Sequence, residues 1–142
     1  MSSTIHKTPV QIRFNDIDIL GHLNNTVYFS IYDLGKALYM QEAGLRSSGR
    51  ERPTSVIADI HCTYFAPIHF GDKIFVTTRC THIGEKSYTL EQELIDDRDE
   101  VRSRCSTVMV YFNPSTGRSE VIPPDYREKI ERYENSMEEE SR

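Results

Sequence analysis

Tryptophan is absent from the 142 residues, and no apolar run approaches the roughly 18 residues that a membrane-spanning helix needs. No membrane segment is therefore expected. Met1 to Lys7 is polar apart from Ile5, so it offers neither the apolar stretch of a signal peptide nor an Arg-rich amphipathic transit sequence. This reading places the protein in the cytoplasm. An excess of positive charge is also missing: 17 Lys and Arg stand against 22 Asp and Glu, a net charge of -5. Such a balance repels nucleic acid, and no basic patch interleaved with aromatics offsets it. Cysteine is scarce. Cys62, Cys80 and Cys105 are odd in number, widely spaced and each set in an apolar-rich run, which suits buried free thiols in a reducing compartment better than disulfides. Internal repeats and linkers are lacking too, so one domain over 1–142 is expected, with its core at about 8–130.

What the chain does contain is a succession of periodic segments. Val10, Ile12 and Phe14 alternate with polar residues at the period of a half-buried strand. After Gly21, residues 25–43 carry helical spacing, with Val27, Ile31, Leu34 and Leu38 on one stripe and Tyr28, Tyr32 and Tyr39 on another. A helix apolar on more than one face is enclosed by other structure; Asn25 can cap its start and Gly44 its end. Gly35 in its middle costs about 1 kcal/mol relative to Ala, a cost offset if a sheet must approach the helix backbone.

Four strand-like runs follow, at 55–64, 73–83, 86–96 and 101–112, with three links that read as hairpins. Val56, Ala58, Ile60, Cys62 and Tyr64 share one parity, as do Ile74, Val76 and Cys80, and Tyr88, Leu90, Gln92 and Leu94. Val108 to Phe112 is apolar on both parities, as in a central or intersubunit strand. Pro123-Pro124 can start a short helix through Tyr133, and 134–142 is acidic enough to fray. The expected class is α+β, a five-stranded antiparallel sheet wrapped around a central helix.

Polar residues crowd into Arg13-Phe14-Asn15-Asp16-Ile17-Asp18-Ile19-Leu20-Gly21-His22-Leu23-Asn24-Asn25. In extended chain Asp16 and Asp18 point the same way, and Asp18 precedes a turn into a helix N-terminus. N–H groups there can hold a carbonyl oxygen as it gains negative charge, while a carboxylate attacks the carbonyl or activates water. Two other readings of these residues stand beside this one. Asp and Asn are common as turn and helix caps, and Asp16, Asp18 and His22 could bind a divalent ion. His6, His61, His69 and His82 are scattered outside the segment.

The wording Arg13-Phe14-Asn15-Asp16-Ile17-Asp18, then Gly21-His22-Leu23-Asn24-Asn25 and Tyr28, resembles the hotdog-fold thioesterases related to 4-hydroxybenzoyl-CoA thioesterase and the bacterial acyl-CoA thioesterases. Tyr64-Phe65-Ala66-Pro67, Phe70-Gly71-Asp72 and Lys86-Ser87 add to the likeness. The resemblance implies a hotdog fold and hydrolysis of an acyl-CoA thioester to free acid and CoA, with CoA as part of the substrate and no cofactor or metal. It implies Asp18 as the catalytic carboxylate and the backbone N–H of Asn25 as the oxyanion donor. Gly21, His22, Asn24 and Tyr28 would line the site. It further implies a homodimer or homotetramer in which Ser87 completes the site of a neighbour. The 4-hydroxybenzoyl enzyme lacks the Gly-His-x-Asn-Asn wording, so aromatic-acyl specificity is not carried over. Lys73, Arg79, Lys86, Arg102, Arg104 and Arg118 are candidate partners for the CoA phosphates. A non-catalytic acyl-CoA or acyl-carrier binding module, or a dehydratase using His22 with Asp18, are the alternatives on this fold.

Overall fold

The computed structural model describes residues 5–45 and 54–140. Its elements are β1 (His6–Val10), α1 (Asn25–Glu42), β2 (Thr54–Tyr64), β3 (Ile74–Ile83), β4 (Ser87–Asp96), β5 (Val101–Asn113), the two-residue β6 (Arg118–Ser119) and α2 (Pro124–Glu140). The strands form one antiparallel sheet in the order β1-β3-β4-β5-β2, with β6 paired to the end of β5. Helix α1 lies against the inner face of this sheet, the α+β hotdog arrangement. No helix among the described residues is long and apolar enough to cross a membrane.

The parity of β4 sets the floor of the core: Tyr88, Leu90, Gln92 and Leu94 are all fully buried, as are Tyr32 and Tyr39 of α1. Full burial of one such apolar side chain contributes roughly 1.5–3 kcal/mol. The contact is tightest at Gly35, where a Cβ would stand 2.8 Å from Gln92 Nε2 and 2.9 Å from Val76 Cγ2. The close approach expected from the sequence is thus real. Gln92 Nε2 donates to the Tyr32 carbonyl at 2.9 Å and to Thr78 Oγ1 at 3.0 Å, which ties helix to sheet at that point.

Several expectations need correction. The opening strand is His6–Val10, not Val10–Phe14. Ile12 keeps the inward parity and is buried, but Phe14 is 78% exposed and begins a 3-10 turn at Phe14–Asp16. The cause is local: the Asp16 carboxylate accepts from the Arg13 backbone N–H at 2.8 Å and from its guanidinium at 3.0 Å, bonds that compete with a ladder. Of the scattered histidines, His6 is an interior one. It is buried against Tyr39 and Tyr133, with Nε2 3.5 Å from Glu42.

Only two of the three links are hairpins, because β2 pairs with β5 at the opposite edge from β1 and residues 65–73 carry the chain across to β3. Alternation determines which face of a strand is buried and leaves its neighbour open. Within β2 a bulge between Ile57 and Asp59 reverses the parity, so Ser55 turns inward to the hydroxyls of Tyr88 and Tyr126, 2.6 Å from each, while Val56 stays 41% exposed. Helix α2 starts with Pro at its first position, but it continues to Glu140 where a frayed tail was expected. Glu134 accepts from Tyr39 Oη at 2.8 Å and Met137 packs on the core. The three cysteines are free thiols, Cys105 buried and the other two half-buried. β5, apolar on both parities near its end, runs between β4 and β2.

Candidate active site

Asp16 and Asp18 have separate environments. Asp16 is buried, its carboxylate taken by Arg13 and its carbonyl by the Asn24 N–H at 2.8 Å. The Arg13 guanidinium holds its carboxyl below the usual carboxylate range. It anchors the loop, as the capping alternative expected. Asp18 sits in a short reversal closed by a bridge between Ile17 and Leu23. Its N–H donates to the His22 carbonyl at 2.8 Å, and Oδ1 accepts from Leu20 N–H at 2.9 Å and His22 N–H at 3.2 Å. Among the described residues, Asp18 Oδ2 has no hydrogen-bond partner. Gly21 lets the chain reverse by taking a left-handed φ of 80°.

The reversal delivers the chain to the start of α1. Asn24 is the N-cap, with Oδ1 accepting from Thr26 N–H at 3.0 Å, and the Val27 N–H donates to the Asn24 carbonyl at 2.9 Å. Between them, the N–H of Asn25 meets no protein acceptor among the described residues. That orphan donor is the first of the helix and carries the positive end of its dipole.

An open cleft of about 370 Å³ is lined by Asp18, His22, Leu23, Asn25, Tyr28, Tyr64, Phe65, Ala66 and Pro67. The structure therefore gathers four of the residues singled out in the sequence, Asp18, His22, Asn25 and Tyr28. Gly21 and Asn24 serve the turn and the helix cap beside it. Ser87 is not in this group: it begins β4 at the end of the sheet that packs against α2, remote from Leu94 and the Tyr28 cluster.

The opposite wall, Tyr64 to Pro67, was missing from the candidates, although Tyr64 follows the inward parity of Ile60 and Cys62. Tyr64 stacks edge-on against Tyr28, centroids 4.7 Å apart, and burial pushes both phenols up. His69 was also missed. Its ring lies edge-on to His22 at 5.3 Å, because the Leu23 N–H donates to the Ile68 carbonyl at 2.7 Å and so joins the two loops.

Arg102 fastens that wall. Its guanidinium donates to the Pro67 carbonyl at 2.7 Å, to Asp72 at 3.3 Å and to Asp96 Oδ2 at 3.0 and 3.1 Å, while its own carbonyl accepts from Phe65 and Ala66. A guanidinium so engaged belongs to the scaffold. Burial alone would raise the Asp96 carboxyl, but the N–H groups of Arg98 and Glu100 and the Arg102 guanidinium outweigh it and hold it below its ordinary range. A depressed folded-state pKa supplies stability above the unfolded value of about 3.9 and loses it as pH falls through the folded one. Urea midpoints measured across pH should fall on acidification below about 4, and Asp96→Asn should be less stable than wild type at neutral pH with a flatter acid limb. Equal midpoints at neutral pH would refute this.

Of the other candidate cations, Arg79 faces Glu91 at 3.6 Å and Arg104 pairs with Glu93 at 2.8 Å while lying over the ring of Phe65. No group of three or more His, Cys, Asp or Glu among the described residues is placed to hold a metal ion.

The residue with a carboxylate oxygen unclaimed by its loop and the residue with an unpaired helix N–H, Asp18 and Asn25, line one cleft with His22 and Leu23, and the family profile covers the same stretch. Residues 12–130 match the thioesterase-like superfamily. The chain belongs to that superfamily. A Thermus thermophilus thioesterase solved with coenzyme A and Zn superimposes with a TM-score of 0.80 at 29% identity, over 95% of this chain and 98% of that one. A Staphylococcus aureus hypothetical protein solved with CoA gives a TM-score of 0.85 at 21% identity, over 95% and 87% of the two chains, and shares the fold. Escherichia coli acyl-CoA thioester hydrolase YbgC is 18% identical over 125 residues, 87% of this chain and 93% of that protein.

Proposed function

We propose that this superfamily member hydrolyses an acyl-CoA thioester to the free acid and CoA. The observation that carries the reading is the unpaired Asn25 N–H beside the Asp18 carboxylate in one cleft. A thioester carbonyl placed between them would direct its oxygen to the helix N-terminus and its carbon to Asp18 Oδ2. Charge developing on the oxygen meets a fixed donor, at little cost of reorganisation. Asp18 either takes a proton from attacking water or attacks the carbon itself; the C–S bond breaks to release a thiolate, and in the second case water then cleaves the acyl–Asp18 anhydride to give the free acid and restore the carboxylate. The aromatic pair Tyr28 and Tyr64 gives the acyl group an apolar wall, and Arg104, which lies over the ring of the cleft residue Phe65 while paired with Glu93, is one candidate cation for a CoA phosphate.

Thiol release from short, long and aromatic acyl-CoA thioesters, by the wild type and by Asp18→Asn, tests the reading. Release by the wild type alone supports it. Binding of acyl-CoA with no release from any member of the panel favours a binding module, and a double-bond change without thiol release favours a dehydratase.

The reading includes a second copy of the chain. Strand β2 is an 11-residue sheet edge, with Val56 and Ile57 exposed by 41% and 46%. Unpaired edge groups beside apolar side chains favour strand pairing between copies. Sedimentation should show at least a dimer, and Ile57→Lys should shift it toward monomer. A wild-type monomer at assay concentration would remove this part.

A further inference from the structure

We infer that Cys62 and Cys105 form a reversible cross-strand disulfide under peroxide, an oxidation site beside the wall of the acyl cleft. The two residues are far apart in sequence but stand directly opposite one another in the antiparallel β2–β5 ladder. Opposed residues in such a ladder have Cα atoms about 4.5 or 5.5 Å apart, and both values fall within the roughly 4.4–6.8 Å that a disulfide spans. Their side chains share the inner face: Cys105 is buried in the cluster of Tyr28, Tyr32 and Leu94, and Cys62 packs on that same cluster. In the reduced protein each thiol has a hydroxyl partner of its own, Cys62 with Ser103 Oγ at 3.4 Å and Cys105 with Thr107 Oγ1 at 3.7 Å. Cys80 makes a useful contrast, since it lies on β3, with β4 between it and β5, and its thiol donates to the carbonyl of His82.

The chemistry runs in one order because the two thiols differ. Cys62 is half-buried on an edge strand, whereas Cys105 is fully buried and burial pushes its thiol up. The Cys62 thiolate attacks one oxygen of hydrogen peroxide, the O–O bond breaks, and sulfenic acid and hydroxide form. The Cys105 sulfur then attacks the Cys62 sulfur, an S–S bond forms, and the S–O bond breaks so that the sulfenic hydroxyl leaves with the Cys105 proton as water; the hydroxide from the first step takes the proton that Cys62 lost on ionising. In total two thiols lose two electrons and one peroxide becomes two waters.

The cleft registers the change. In the reduced protein the Cys62 sulfur lies 3.4 Å from Ser103 Oγ, whose partner is the Tyr32 hydroxyl at 2.8 Å, and two residues on is Tyr64 of the cleft wall. Cross-linking draws the Cys62 sulfur toward Cys105 and disturbs that wall. The effect on turnover rests on the thioesterase reading; the cross-link does not.

Treating the native protein with hydrogen peroxide, then quenching, should reduce the titratable thiols from three to one. Peptide mapping should show Cys62 joined to Cys105. Cys105→Ser should stop at a Cys62 sulfenic acid that dimedone traps, Cys62→Ser should form no cross-link, and Cys80→Ser should behave as wild type. Thioester hydrolysis should fall on oxidation of the wild type and return with dithiothreitol, but stay insensitive in Cys62→Ser. Three surviving thiols, a cross-link to Cys80, or over-oxidised Cys62 without a cross-link would overturn the site. A cross-link that forms with activity unchanged would overturn its effect on the cleft.

Discussion

Asp18→Asn should lower kcat for acyl-CoA hydrolysis by about 10²–10⁴, the usual contribution of a positioned general base, with little change in KM. The variant is informative because Asn keeps an oxygen where Oδ1 accepts from Leu20 and His22, so the reversal has its acceptor. What it removes is the charge and basicity of the other oxygen. Asp18→Ala would confound the two by leaving both N–H groups without their acceptor. Circular dichroism and thermal midpoint should match wild type. Turnover within about tenfold of wild type would show that another group does the chemistry.

Asn25→Pro should lower kcat by about 10²–10³, the cost of deleting one oxyanion donor, whereas Asn25→Ala should retain most activity. Proline lacks the N–H that this mechanism needs, yet it is well tolerated at the first position of a helix, where the donor has no intrahelical partner. The residue before a proline must be extended, and Asn24 already is, with φ -63° and ψ 136°. The exposed Asn25 side chain contributes little to the fold, so the Pro and Ala variants should have similar stability. Loss in both would move the role to the side chain; loss in neither would remove the oxyanion assignment.

Some of the site was legible because its signals are local. Asp18, Gly21, Asn24 and Asn25 lie within eight residues, and the turn and cap that arrange them depend on short-range bonds. The same proximity misled for Asp16, where the period of two was taken to continue although Arg13 had already drawn the chain into a turn. The far wall was not legible, since nothing in Tyr64 to Pro67 announces that β2 ends beside the start of α1. That placement follows from β2 pairing with β5 and from Arg102 holding the Pro67 carbonyl.

By itself the sequence determined helix α1 and strands β2 to β5, which face of β4 is buried, and that Gly35 must accept a close sheet, because periodicity and side-chain volume act along the chain. Only the tertiary structure decided the strand order, the inward turn of Ser55 at the bulge, the burial of His6 and the meeting of Cys62 with Cys105. Those depend on which strands pair and in what register. Many pairings bury similar apolar area, and the choice among them is made by contacts between residues far apart in sequence.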